Sequence, residues 1–440
     1  MPAAVRPRAP SAAAAVALVL LALLPAAAGA GLVRRRQPAR FTVDLGLPPE
    51  RRWEEVVLAY RDLLPPLLLQ VEAALGEADL KKPPPPAASK EEAEPDDPSG
   101  LERIREEEAE VEAEESAKEN RSKARRRAWW LRGHRLAAEE LAELAGIAKL
   151  ADHEEVTLDR LIAWQMTQDL LQKPFHQFAG RRFQSGIALG LLLADANGTV
   201  TMQQNLDFNF YFVAGGRRMS LQDVVLELTF VRDGAPLFVG VGFPGRIGAI
   251  TGMALSDDPA KRWSVYGGNI EQAAAVDQLF GNGSRPLELD VRGLLAAGLD
   301  YGAACRRLRE LPGDHLFHVA GGGSWEGAII STNFWRKGRD TVMAALSPAI
   351  GRWFVAGTDK RRWFNVGAFR EDDAVMEADV LLQDLGQERA AAGGLLPVLR
   401  GRHALTSATV LTWLSVPARG FQRAYLAKEP TGELVVDSGL

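Results

Sequence analysis

Ile187-Ala188-Leu189-Gly190-Leu191-Leu192-Leu193-Ala194-Asp195-Ala196-Asn197-Gly198-Thr199-Val200, running on through Thr201-Met202-Gln203-Gln204 to Asn205-Leu206-Asp207-Phe208, is the stretch that decides the fold. An apolar run reaches Ala194, an Asp-Ala-Asn-Gly turn closes it, and Thr199-Val200-Thr201-Met202 resumes it. That order reads as two buried strands of a hairpin.

Working outward, the segments beyond Phe208 are mostly strand-like. Residues 224–231 and 236–240 flank Asp233-Gly234, a good hairpin turn. Helical spacing follows at 270–280, 291–299 and 301–311, then strand patterns at 316–320, 327–332 and 353–357. A helix over 373–385 precedes a closing hairpin of 406–415 with 421–426. Upstream, Phe41-Thr42-Val43-Asp44-Leu45 alternates like a strand and stops at Pro48-Pro49, after which Glu50-Arg51-Arg52-Trp53 opens a helical pattern through Leu64. Residues 139–150 and 157–166 are amphipathic helices, the second with Thr157 or Asp152 as its cap. Two antiparallel sheets with helices outside them, an α+β architecture, fit this sequence of elements.

Between the early helices lies a different composition. Residues 77–127 hold a polyproline run from Pro83 to Pro86 and a tract of Glu, Asp, Lys and Ala with few apolar anchors, which reads as a charged surface insertion. Within it, residues 101–127 carry opposite charges three or four apart, as a solvated helix would.

The hairpin with its Asn205-Leu206-Asp207-Phe208 end resembles the heart of the acid ceramidase and N-acylethanolamine acid amidase family. Phe41-Thr-Val-Asp-Leu45 with Pro48, Pro49, Arg52 and Trp53 resembles the start of that family's α-chain, and residues 140–148 resemble its helix upstream of the nucleophile. The resemblance covers most of 41–426 and implies the αββα sandwich of N-terminal-nucleophile hydrolases. It divides the chain into a signal peptide at 1–30, an α-chain-like region at 31–187 that holds the charged insertion, and a β-chain-like domain at 188–440. The family's α-chain is apolar where this chain carries the insertion, and contributes to membrane contact there. The basic segment 172–184 is longer than the family's connection.

By the same resemblance, the family cuts its own chain before a cysteine, and the freed α-amine serves as the base for that thiol. An aspartate holds the amine, an arginine balances charge, and an asparagine aids the oxyanion hole. Asp207 stands at the aspartate's place. Counting back without a gap puts the nucleophile's place at Ala188, which has no nucleophilic atom. Gln204 stands where the arginine should be, and a glutamine supplies neither a cation nor a guanidinium fork. Gly351-Arg352-Trp353-Phe354 resembles the family strand that leads to Thr-Asn, but the pair here is Thr358-Asp359. A carboxylate there repels a developing oxyanion, where one lost donor already costs about 3 kcal/mol. The family's Asp-Asp-Arg-Arg survives only as Asp372-Asp373-Ala374-Val375.

Ser185 is the alternative nucleophile, because cleavage before it leaves an N-terminal serine. It lies an odd number of residues from Ala188, which reverses the facing of a strand side chain unless a bulge intervenes. Cys305 is the only cysteine, which rules out an intrachain disulfide, and its helical setting reads as structural. His315 and His318, three apart on one strand, face opposite ways. Gly240-Val-Gly242-Phe-Pro-Gly245 matches the dinucleotide fingerprint by letter, but it lacks a βαβ setting. The glycines at 321–323 with Glu326-Gly327 resemble a family loop and read as a backbone turn. No His, Cys or carboxylate cluster has metal spacing, and no cofactor is expected.

The bounds agree. The chain has 440 residues, 47% of them hydrophobic and 25% charged, the make-up of a globular protein, and its net charge of −5 offers nucleic acid no attraction. Arg6 and Arg8, then apolar residues 12–24, then small residues 25–30 follow the signal-peptide order. Sequons at Asn120, Asn197 and Asn282 suit a secretory route to the lysosome or the outside. The expected ligand is an N-acyl lipid or another amphipathic molecule, met through peripheral membrane contact. Two functions of different class follow. One is a weak or inactive amidase of N-acyl lipids, and the other is a non-catalytic lipid-binding or regulatory protein on the same fold.

Overall fold

A computed structural model describes residues 37–79, 135–166, 189–208, 210–249, 251–269, 285–313, 315–332, 341–358, 373–390, 398–399, 404–405 and 409–427. The signal-like segment, nearly all of the charged insertion, the connection at 172–188 and the helical pattern at 270–280 lie outside the described residues.

The first elements are β1 (Ala39–Asp44), α1 (Glu54–Tyr60), α2 (Leu64–Asp79), α3 (Ala138–Ala151) and α4 (Leu158–Met166). The hairpin strands follow as β2 (Gly190–Ala194) and β3 (Val200–Asp207), then β4 (Tyr211–Ala214), β5 (Arg217–Ser220), β6 (Leu226–Arg232), β7 (Ala235–Gly242), β8 (Thr251–Ala254) and β9 (Trp263–Asn269). Two helices come next, α5 (Leu287–Ala296) and α6 (Tyr301–Glu310), then β10 (His315–Gly321), β11 (Gly327–Ser331), β12 (Val342–Ala345) and β13 (Phe354–Gly357). The described chain closes with α7 (Asp373–Arg389), β14 (Thr409–Val416) and β15 (Phe421–Leu426).

These strands make an eight-stranded sheet in the order β1-β6-β7-β8-β9-β10-β11-β12, a five-stranded sheet in the order β13-β2-β3-β14-β15, and the small β4–β5 ribbon. The pairings are antiparallel except one: β1 lies parallel to β6, with Phe41 opposite Leu228. The two antiparallel sheets expected from the sequence are present, and the one parallel pairing sits at an edge, where β1 arrives from a distant part of the chain and meets β6 through no hairpin. The two large sheets pack face to face. The Ser415 hydroxyl of β14 bonds the Ser264 hydroxyl of β9 across the gap at 2.8 Å. On the far side of the smaller sheet, Leu189, Leu191 and Leu193 pack with Val375, Ala378 and Leu382 of α7. Helices also flank the larger sheet, with α5 beside β7, β8 and β9, and α6 beside β10 and β11. The layer order is therefore helix, sheet, sheet, helix.

Layering explains the sequence of β2. Leu192 and Ala194 face the inter-sheet core while Leu191 and Leu193 face α7, so every residue of the strand is buried and none needs to be polar. Each such leucine contributes about 1.5–3 kcal/mol on burial.

The helical expectations need three adjustments. The pattern from Glu50 to Leu64 is a 3-10 turn (Pro49–Arg51) followed by α1, and a new helix starts at Leu64. Pro65 and Pro66 cannot sit inside a helix but fit its first turn, so they mark a start. That new helix, α2, runs to Asp79, past the expected start of the insertion at 77. Thr157 is the cap of α4, its Oγ1 accepting from Arg160 N at 3.4 Å, whereas Asp152 ends α3 in the left-handed conformation. α7 continues to Arg389 across a break at Gly386, whose φ is 71°.

The early helices are tied to α5 through buried charge. Glu143 of α3, 1% exposed, accepts from Trp53 Nε1 at 2.7 Å, from Arg52 at 2.8 Å and from both Nη atoms of Arg292 at 2.7 and 2.8 Å. Burial alone would raise its pKa. The charge and bonds of Arg292, then the bonds from Trp53 and Arg52, outweigh that and hold it below the ordinary glutamate value. Nearby, buried Arg246 pairs with Glu288 at 3.1 Å and lies over the Trp164 ring at 4.3 Å.

Candidate functional site

The site expected from the sequence lies where β2 begins and β3 ends. The turn joining the two strands is built by Asp195, whose Oδ1 accepts from the backbone N–H of Asn197 at 2.9 Å and of Thr199 at 2.8 Å. Gly198 takes a φ of +83°, and its carbonyl accepts from Trp325 N at 2.7 Å. The glycine loop at 321–327 thus serves as a brace for the hairpin. It is folded by Glu326, which accepts from Gly323 N at 2.8 Å, so the turn needs no ligand. Asn197 itself is exposed at the turn. Sequons Asn120 and Asn282 lie outside the described residues.

Pairing then sets which side chains share a face. Gly190 stands opposite Gln204, and Gln204 opposite Trp413 of β14. Gly190 also stands opposite Gly357 of β13. Residues directly opposite in an antiparallel pair point the same way, and Met202 and Leu206 show that even positions of β3 enter the inter-sheet core. Gln204 therefore faces the larger sheet. It is fully buried, and neither atom of its side-chain amide has a hydrogen-bond partner among the described residues.

Asn205 takes the other face, and sequence reasoning passed over it. Its amide nitrogen donates to the carbonyls of Leu399 at 2.9 Å and Ala404 at 2.7 Å, and its oxygen accepts from the Thr412 hydroxyl at 2.8 Å. The asparagine of the signature is a clamp that holds the segment after α7 onto the sheet. Its place in a buried strand, where an unbonded amide would be costly, is the signal that could have found it.

Asp207 closes β3, 7% exposed, opposite Thr409 and beside the irregularity between Thr409 and Leu411. Ala188, Ser185 and Asp359 lie outside the described residues. Their neighbours bracket the place: Leu189 is buried and its carbonyl accepts from Asn205 N at 3.0 Å, and Thr358 is buried at the end of β13.

The second residue that sequence reasoning undervalued is His318. It sits on β10, fully buried, on the face turned to the smaller sheet. His315 is half-buried, and its Nε2 lies 2.7 Å from the Pro312 carbonyl, so the two histidines do point apart. Cys305 is buried on α6, and burial pushes its thiol up to about 11 despite the hydrogen bond from Tyr301, which makes it an inert core group. Gly240 and Gly242 lie in β7, an antiparallel strand, which is not a nucleotide-binding setting. Among the described residues no group of three or more His, Cys, Asp or Glu is placed to hold a metal ion, and no helix is long and apolar enough to cross a membrane.

No protein-family model matches the chain. Among curated proteins, the acid ceramidase of Heterocephalus glaber is 24% identical over 301 residues, 66% of this chain and 70% of that protein. The N-acylethanolamine-hydrolyzing acid amidase of Cavia porcellus is 25% identical over 223 residues, 49% of this chain and 57% of that one. That of Caenorhabditis elegans is 21% identical over 410 residues, 90% of this chain and 93% of that one. Apart from the first, the mammalian relatives are matched over 56% to 63% of their own length. A solved chain of the Caenorhabditis elegans amidase ortholog covers 54% of this chain and 99% of its own length at a TM-score of 0.44 and 20% identity. The curated proteins that this chain is similar to are acid ceramidases and N-acylethanolamine-hydrolyzing acid amidases, at 21% to 25% identity in the three cases given.

Proposed function

We propose that this protein descends from an N-acyl amide hydrolase, binds an N-acyl lipid such as a ceramide or an N-acylethanolamine, and turns it over weakly or not at all. The observation that carries the reading is the unequal fate of two sets of residues around the hairpin. The residues that build the scaffold are kept, with Asn205 clamped and Asp207 buried at the end of β3. The residues that would react are changed, Ala188 for the nucleophile, Gln204 for the cation and Asp359 for the oxyanion donor. Loss of a nucleophile alone costs on the order of 10⁶ in kcat in a hydrolase that depends on one. An amphipathic ligand further implies contact with a membrane surface along the secretory or lysosomal route, and the exposure of the Asn197 sequon supports that route.

Fatty-acid release from a ceramide and from an N-acylethanolamine, measured at acid pH with peptide mapping of the same sample, tests this reading. We expect an uncut chain between Met166 and Leu189 and release at the level of the blank. A chain split before Ser185, with substantial release that Asp207→Asn abolishes, would overturn the inactive reading in favour of a working amidase with a serine nucleophile.

A further inference from the structure

His318 fills a space that exists only because two residues facing it lack side chains. A Cβ added to Gly190 would fall 2.5 Å from its Nε2, and one added to Gly357 would fall 3.2 Å from the same atom. The ring is therefore the filler that closes the gap between the sheets at the head of β2. Neither ring nitrogen has a hydrogen-bond partner of good geometry among the described residues. Around it stand Gly190 from β2, Gly357 from β13, Ile329 from β11 and Tyr266 from β9. Its ring centroid is 6.0 Å from that of Tyr266. Among the described residues none of these strands turns a charged side chain to this face, and the Tyr266 phenol is the one titratable group that does face it. A protonated imidazole here, fully buried, would have no counter-charge among the described residues.

We propose that His318 is an acid-operated latch: neutral, it seals the seam between the sheets at the head of β2, and protonated, it must leave that seam and open it. Burial pushes its pKa down to about 4, and the nearby Gly357 backbone offsets only part of this. A free imidazole titrates near 6.5, so closed and open forms bind protons equally above that value. As the pH falls from about 6.5 to about 4, the open form takes a proton that the closed form refuses. The ratio of open to closed rises by up to tenfold per pH unit, to about 150-fold at pH 4. Acidification opens the latch, whether or not the chain cleaves amides.

Hydrogen exchange of the full chain, followed from pH 7 to pH 4.5 and corrected for intrinsic rates, reads this out beside His318→Leu, which fills the gap and cannot titrate. We expect protection of the β2 and β13 amides to fall about 100-fold more in the wild type than in the variant. An equal fall in both overturns the latch. Should the variant fail to fold, titration of the imidazole carbons by NMR in the wild type decides. A ring that stays neutral to pH 5 while the other histidines titrate supports the proposal. A ring that titrates near 6.5 with β2 still protected overturns it.

Discussion

Two buried polar clusters sit in this one core, and they are satisfied to opposite degrees. Where α3 meets α5, Glu143 takes four bonds from Trp53, Arg52 and Arg292, and both of its oxygens are used. Between the sheets, the Gln204 amide, the His318 ring, the Ser331 hydroxyl and the Trp413 indole N–H are all buried with no hydrogen-bond partner among the described residues. A group chosen to hold a fold together is bonded, because burying it unbonded costs about 1–3 kcal/mol. The first cluster is thus architecture. The second lies at the head of the hairpin, where the proposed function puts the ligand, and its polarity does nothing for the packing.

The largest effect that can break this contrast is the loss of Glu143. Glu143→Ala would leave two guanidinium groups and an indole N–H buried beside a cavity, and we expect a loss of about 3–5 kcal/mol in denaturant unfolding. Loss of less than 1 kcal/mol would mean that solvent reaches Arg52 and Arg292, and that the cluster does not bind the early helices to α5. Asn205→Ala comes next. It removes a clamp of three hydrogen bonds and strands the Leu399 and Ala404 carbonyls, for an expected loss of about 2–3 kcal/mol. Limited proteolysis near residue 400 should quicken in the same variant, and an unchanged cleavage rate there would show that the clamp does not hold that segment.

These cases show what the sequence could convey. The hairpin was legible because β2 has core on both sides, so it holds no polar residue, and because Asp195 and Gly198 spell its turn. The closing pair β14–β15 and the helices α5 and α6 were legible for the same reason, as period and turn chemistry are local properties. The parallel contact of β1 with β6 was not, since no local pattern records a partner almost two hundred residues away. Nor was the β4–β5 ribbon, only two of whose eight residues are buried and whose alternation is weak. At the site, the identity of Gln204 was plain, but the face it takes follows only from register with Gly190 and Trp413. His318 shows this most sharply. Its isolation depends on Gly190 and Gly357, residues of two other strands that no spacing in the sequence brings together.

The smallest expected effect separates the clusters best, because it is a comparison of neighbours. Gln204 and Asn205 carry the same functional group one residue apart, and the strand turns them to opposite faces. Truncating the bonded amide should cost, whereas replacing the unbonded one by an apolar chain of similar length should not. For Gln204→Met we expect unfolding free energy unchanged or raised by about 1 kcal/mol, since an amide that makes no bond in the core has lost its water for nothing. A drop of 2 kcal/mol in the variant would mean that the Gln204 amide is bonded in the folded chain, and the inter-sheet cluster would then be architecture like the one around Glu143. No change, set against the loss at Asn205, would place the boundary between the bonded and the unbonded cluster between two adjacent residues of β3.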